Sequence, residues 1–114
     1  MSVSVKLPPR IDTFMQAKSS GDSQAFVACF AEEAVVYTEG QEFRGKDAIR
    51  QWFEDSAKYK NQYLVMGFSA KRQESILSAR VSGDFAGSPV LLDYFFTTRD
   101  GLITSLRIVT MEDA

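Results

Sequence analysis

Three observations predict an α+β fold with helices first and a mainly antiparallel sheet after them. Apolar residues recur at helical spacing through the first half of the 114-residue chain. Apolar and polar residues alternate through most of the second half, and glycine-bearing turns separate the segments. The length suits one hydrophobic core, so residues 1–114 are expected to form a single domain that buries about two-thirds of the unfolded chain's surface.

Pro8 and Pro9 fit the first turn of a helix, where a missing amide goes unnoticed. Ile11, Phe14, Met15 and Lys18 follow at helical spacing, the last of them alone polar. Ser20-Gly21-Asp22 ends that helix and starts another, because glycine accepts the left-handed cap and Asp22 can accept amides of the next turn. Phe26, Val27 and Phe30 are predicted to share one face of this short second helix. Residues 34–39 read as a strand, Gly40 as its turn and residues 41–44 as the returning strand. Gly45-Lys46-Asp47 then opens a third helix with Ile49, Trp52, Phe53 and Ala57 on its buried side.

The remaining segments read as strands. Residues 63–72 place Leu64, Met66, Phe68 and Ala70 on one face. Residues 76–85 place Leu77, Ala79, Val81 and Phe85 on one face, opposite Ser78, Arg80, Ser82 and Asp84. Residues 90–98 are apolar on both faces, with Val90, Leu92, Tyr94 and Phe96 on one and Leu91 and Phe95 on the other. Such a strand needs cover on both sides. Arg99-Asp100-Gly101 is a hairpin signal, and residues 102–111 close the sheet with Leu102, Leu106 and Ile108 together. A symmetric second copy is the simplest cover for the extra apolar face, so a homodimer through Leu92, Tyr94 and Phe96 is expected.

Composition narrows the chemistry. Thirteen basic and fifteen acidic side chains give a net charge of −2, which supplies no electrostatic reason to bind nucleic acid or an anionic membrane. The sequence contains no histidine, which removes imidazole-based metal sites, bases and nucleophile pairs. Cys29 is the single cysteine, fits a reducing cytoplasm, and lies beside no base that would activate it. No apolar run approaches the ~20 residues that span a bilayer, and residues 1–9 lack a signal-peptide core. A cytoplasmic protein without metal or cofactor is expected; no phosphate-loop or dinucleotide pattern is present.

Three local signatures in this order resemble the nuclear transport factor 2-like superfamily, in particular its SnoaL-like branch of polyketide cyclases and steroid isomerases. They are Ser20-Gly21-Asp22 followed by Phe30-Ala31-Glu32-Glu33-Ala34, then Phe43-Arg44-Gly45-Lys46-Asp47-Ala48-Ile49, then Asp93-Tyr94-Phe95-Phe96 leading to Arg99-Asp100-Gly101-Leu102-Ile103. Together they run through nearly the whole chain. The resemblance implies a cone-shaped α+β barrel of cystatin-like type, an apolar pocket between sheet and helices, and a homodimer through the sheet. It does not imply one function, because that scaffold carries several chemistries and also modules without any.

Residue by residue, the resemblance removes most of those chemistries. The general-base position of the ketosteroid isomerases falls on Thr38, the oxyanion tyrosine on Phe14, and two supporting tyrosines on Phe30 and Phe53. An isomerase needs both a base and enolate donors, so ketosteroid isomerase activity is not expected. Dehydratase-type sites use histidine, and the epoxide-hydrolase set needs an arginine–aspartate spacing that Arg80 and Asp84 do not give. Asp93 keeps the position of the remaining pocket acid.

The strand neighbours Leu91, Phe95 and Thr97 place Asp93 on a largely apolar face, where a carboxyl can serve as a hydrogen-bond donor or general acid. The alternative is an Asp93 paired with arginine or a helix amide, stabilising the fold only. Phe14, Phe30, Val36, Thr38, Trp52, Phe53, Leu91, Phe95, Leu106 and Ile108 are the expected lining around a small hydrophobic ligand. Tyr37 and Glu39 point the other way by the two-residue period. Arg44 is read as a solvated charge or a partner of Asp47, with an anion at the pocket mouth as the alternative. Weak acid catalysis of cyclase or isomerase type by Asp93 is compatible with this reading but not required by it, and a non-catalytic dimerisation or interaction module with a filled cone is the competing reading.

Overall fold

The computed structural model describes residues 7–56, 61–72 and 74–110. Val3 and Val5, Ala57 of the predicted third helix and Met111 of the predicted last strand lie outside the described residues. Three helices come in the first half, α1 (Pro9–Ser20), α2 (Ser23–Ala28) and α3 (Lys46–Ser56). Six strands, β1 (Phe30–Thr38), β2 (Gln41–Arg44), β3 (Gln62–Ala70), β4 (Glu74–Ser82), β5 (Val90–Arg99) and β6 (Leu102–Thr110), form one sheet in the order β2-β1-β6-β5-β4-β3. All neighbours are antiparallel except β1 and β6, which run parallel.

The punctuation follows local backbone chemistry. Pro9 occupies the first turn of α1, and Gly21 ends it at φ 77°, donating its amide to the Ala17 carbonyl. Asp22 caps α2 by accepting the Ala25 amide at 3.0 Å. The β5–β6 hairpin turns through Asp100 and Gly101, both at positive φ, as the Asp-Gly pair requires. Phe30 belongs to β1 and not to α2: β1 begins four residues earlier than the alternation suggested, with Phe30 opposite Ile103 on β6 and a shifted register before Val35. The Ile103 amide also donates to the Cys29 carbonyl at 2.9 Å, which fastens the end of α2 to the sheet.

The helices cover one face of the sheet, and cross-strand register decides which residues that face contains. On β4 the inward set is Leu77, Ala79 and Val81, as its alternation predicted. Tyr94 lies opposite Leu77 and Ile108, and Phe96 opposite Leu106, so both point to the helices. They are 1% and 0% exposed, and Leu92 packs against the same core. This removes Tyr94 and Phe96 from the expected homodimer contact through Leu92, Tyr94 and Phe96, because a residue buried beneath its own helices has no surface to offer a partner; Leu92 is half-buried and packs toward the same core.

A second correction concerns β3. Its inward residues are Tyr63, Val65 and Phe68, whereas Leu64 and Met66 are 59% and 55% exposed. The register shifts between Val65 and Gly67, so the strand carries an extra residue and the alternation changes phase there. Leu64, Met66 and Phe68 therefore do not share one face.

At the centre of the core Phe14 is fully buried, with ring centroids 5.0 Å from Phe26, 5.1 Å from Phe96, 6.1 Å from Phe30 and 6.2 Å from Tyr94. This one side chain joins α1 to α2, β1 and β5. Phe14→Ala is expected to cost about 3–5 kcal/mol in chemical denaturation; a loss below about 1 kcal/mol would show that the neighbouring rings close the gap without it.

Candidate functional site

The expected lining divides between the two faces of the sheet. Phe14, Phe30, Val36, Phe53 and Leu106 are buried in the core, and Trp52 and Ile108 pack against it partly covered. Thr38 shares the Val36 face of β1, opposite Ile108. Leu91 and Phe95 stand on the outer face: Leu91 is opposite Arg80, and Phe95 lies under the Arg107 guanidinium at 4.5 Å.

Asp93 stands on that outer face as well. It is opposite Ser78 and Val109, and its carboxylate accepts a hydrogen bond from the Ser78 hydroxyl at 2.7 Å. The carboxyl is therefore a neighbour of the exposed side of the sheet and not an acid inside the cone. The inversion follows from β5 itself, whose two apolar faces give periodicity nothing to choose between. Two smaller readings resolve as well. Arg44 pairs with Glu42 at 2.9 Å and not with Asp47. The buried Cys29 thiol donates to the Ala25 carbonyl at 3.4 Å, and burial pushes its pKa up, as expected of an inert thiol.

The polar groups that do reach the interior come from elsewhere. Lys18, in the last turn of α1, completes the stripe of Ile11, Phe14 and Met15. Its Nζ lies 5.3 Å from the centroid of Trp52 on α3, 5.3 Å from that of Tyr63 on β3 and 5.9 Å from that of Phe26 on α2. Four elements thus meet at one amine. The residue as a whole is half-buried, and desolvation of the amine among these rings lowers its pKa from 10.5 to about 8. The ring faces return some of that cost through cation–π attraction.

Two phenols and an amide adjoin the lysine's aromatic walls. Burial pushes the Tyr63 hydroxyl up in pKa, and the nearby Asn61 side chain partly offsets this. Tyr94 is pushed up further, by deeper burial and then by the proximity of Tyr63. Both phenols are therefore neutral donors throughout the physiological range. The Asn61 Oδ1 is buried and has no hydrogen-bond partner among the described residues. An open groove of about 370 Å³ between α1 and β3, lined by Met15, Gln16, Ser19, Ser20, Tyr63 and Val65, leads to the edge of this cluster. Lysine at the end of an apolar helical stripe was the one sequence signal for it. Tyr63 and Asn61 carried none, because the phase of β3 was not readable.

The Lys18 shift has a definite sign in stability. Protonation is harder in the folded chain than in the unfolded one, so the penalty is complete below about pH 8 and disappears by about pH 10.5. Lys18→Met is expected to gain on the order of 1–3 kcal/mol at pH 7. The gap should close between pH 8 and 10.5 when both proteins are unfolded by urea at each pH. Tyr63 and Tyr94 titrate in both proteins and cancel; a gap independent of pH would mean that the amine is solvated.

The comparisons agree on the scaffold. Residues 11–106 match the SnoaL-like domain family. A candidate polyketide cyclase from Sinorhizobium meliloti superposes with a TM-score of 0.87 at 35% identity, covering 90% of this chain and 95% of that one. A second candidate polyketide cyclase, from Xanthomonas campestris pv. campestris, gives 0.78 at 20% identity, over 88% and 86%. A protein of ketosteroid isomerase-like fold from Catenulispora acidiphila, in complex with trimethylamine, gives 0.81 at 17% identity, over 91% and 86%. No curated protein matches the chain. With helices, turns, sheet order and a family match over most of its length in agreement, the chain belongs to the SnoaL-like family.

Proposed function

We propose that the protein binds a small hydrophobic molecule between its helices and the inner face of its sheet, at the end where Lys18 meets Trp52 and Tyr63. The observation that carries this reading is the lysine itself. An amine held among three rings costs the fold stability that a methionine would not, so its presence there calls for a use. The apolar rings supply affinity, while the amine and the neutral Tyr63 phenol supply the few polar contacts that orient a ligand. The narrow part of the interior around Phe14 is closed by packed rings and takes no part. With Thr38 in place of a base and Phe14 in place of an oxyanion donor, isomerase chemistry is not part of the proposal.

Trp52 is the single tryptophan and forms one wall, so its emission reports on the site. Energy transfer from Trp52 to the uncharged dye N-phenyl-1-naphthylamine is expected to saturate in wild type. Tyr63→Arg puts a second cation beside Lys18 and should weaken that binding tenfold or more. Leu64→Arg, the next residue but on the outer face, should leave it unchanged. The reverse ranking would move the ligand to the outer face and end this reading.

The outer face supports a homodimer on residues other than those first expected. Leu64, Met66 and Tyr37 are exposed there, and Leu91, Phe95 and Val109 lie half-covered between them. A second copy related by a two-fold axis would bury this patch against itself. Sedimentation of wild type as a dimer and of Met66→Lys as a monomer is the expected result; a monomeric wild type would dismiss the interface.

A further inference from the structure

We infer that Lys18 is an amine nucleophile that captures hydrophobic aldehydes or ketones as an imine, a role that rests on the binding site proposed above and names the chemical class of its ligand.

The geometry is that of a carbonyl trap. Lysine on an exposed helix extends its ammonium into water, whereas this one lies between rings contributed by α2, α3 and β3. The ion pairs among the described residues are Arg44–Glu42 and Lys46–Glu32, and neither involves Lys18. No carboxylate among those residues therefore holds the amine in its charged form. Desolvation acts in the same direction, and with a pKa of about 8 the neutral fraction at pH 7 is roughly two to three hundred times that of a solvated lysine. With its neutral fraction enlarged, held in place and walled by apolar surface, the amine meets the requirements of a Schiff-base lysine.

The reaction balances without any further reagent. The lone pair of Nζ attacks the carbonyl carbon, a C–N bond forms, and the C=O π pair moves to oxygen. A proton passes from nitrogen to that oxygen to give the carbinolamine. The C–O bond then breaks as the hydroxyl takes a second proton and leaves as water, while nitrogen forms the C=N bond and releases its remaining proton. The sum is amine plus carbonyl giving imine plus water, with nothing oxidised or reduced. The Tyr63 phenol, on the ring beside Nζ, is the group placed to pass these protons, being neutral at working pH. The Asn61 Oδ1, unpartnered among the described residues and two residues before Tyr63 in the chain, is a buried acceptor for the carbinolamine hydroxyl or the departing water. The groove between α1 and β3 admits the ligand to Tyr63.

The test uses hexanal as the carbonyl probe and hexanol as its counterpart without one, with sodium cyanoborohydride to reduce any imine. Trp52 emission reports binding of either, and peptide-resolved mass spectrometry locates the adduct. At pH 7.5, alkylation of Lys18 is expected to outpace that of exposed Lys71 at least tenfold and to fall away below pH 6. Lys18→Met, checked as folded by its melting transition, should lose the dominant adduct. Saturable hexanol binding with Lys18 labelled no faster than Lys71 would overturn the imine and leave the binding site standing. Absence of both binding and adduct would overturn the two together.

Discussion

A helix layer can cover only one side of a sheet, and β5 arrives with apolar side chains on both. Which set turns inward is settled by its neighbours, since cross-strand partners must point the same way. On β4 the assignment is unambiguous: Leu77, Ala79 and Val81 alternate with Ser78 and Arg80, and the polar set cannot go under the helices without losing water. Pairing Leu77 with Tyr94 then commits the whole of β5, sending Tyr94 and Phe96 into the Phe14 cluster and Asp93 out to Ser78. Position of the core, absence of an interior carboxylate among the described residues and exposure of an apolar patch on the far side all follow from that single phase.

The same logic explains how much was legible in the sequence. Elements bounded by residues with few conformational options were readable: prolines opening α1, Gly21 and Asp22 between the first two helices, and Asp100-Gly101 between β5 and β6. Each of those signals lives in one or two residues and needs no tertiary knowledge. The phase of β5 was not readable, because a two-residue period carries information only when the faces differ in polarity. The phase change in β3 was hidden for a related reason. An extra residue inserted among Leu64, Val65 and Met66 leaves the local pattern apolar either way, and only the pairing with β4 reveals it.

The candidate site shows a third kind of limit. Lys18 was visible as the polar member of an apolar stripe, and on a helix alone such a lysine is explained by its position in the last turn, where a cation suits the dipole. What distinguishes it is the arrival of Trp52 and Tyr63 from segments distant in sequence. No spacing rule joins residue 18 to residues 52 and 63. Asp93, by contrast, was singled out because it keeps a position that matters in isomerases, yet a side chain has meaning there only if its face is inward.

The plain rings of Phe14, Phe30 and Phe53 and the polar groups around Lys18 have a common physical basis. Plain rings let the narrow part of the interior close on itself: Phe14 meets four rings at contact distance, and Phe26 stacks on Phe53 at 4.2 Å. A region packed that way has no room for a ligand and no donor to orient one. Phe26 and Trp52 face that cluster on one side and the Lys18 amine on the other, so the closed region forms the rigid back wall of the open one. Rigidity behind the amine is what a binding site needs, because a lysine free to swing into water would recover its solvation and its ordinary pKa. In this chain the filled core and the proposed site are thus complementary consequences of one arrangement of rings, with Lys18 at the last turn of the first helix on one side of the sheet and Asp93 left on the other.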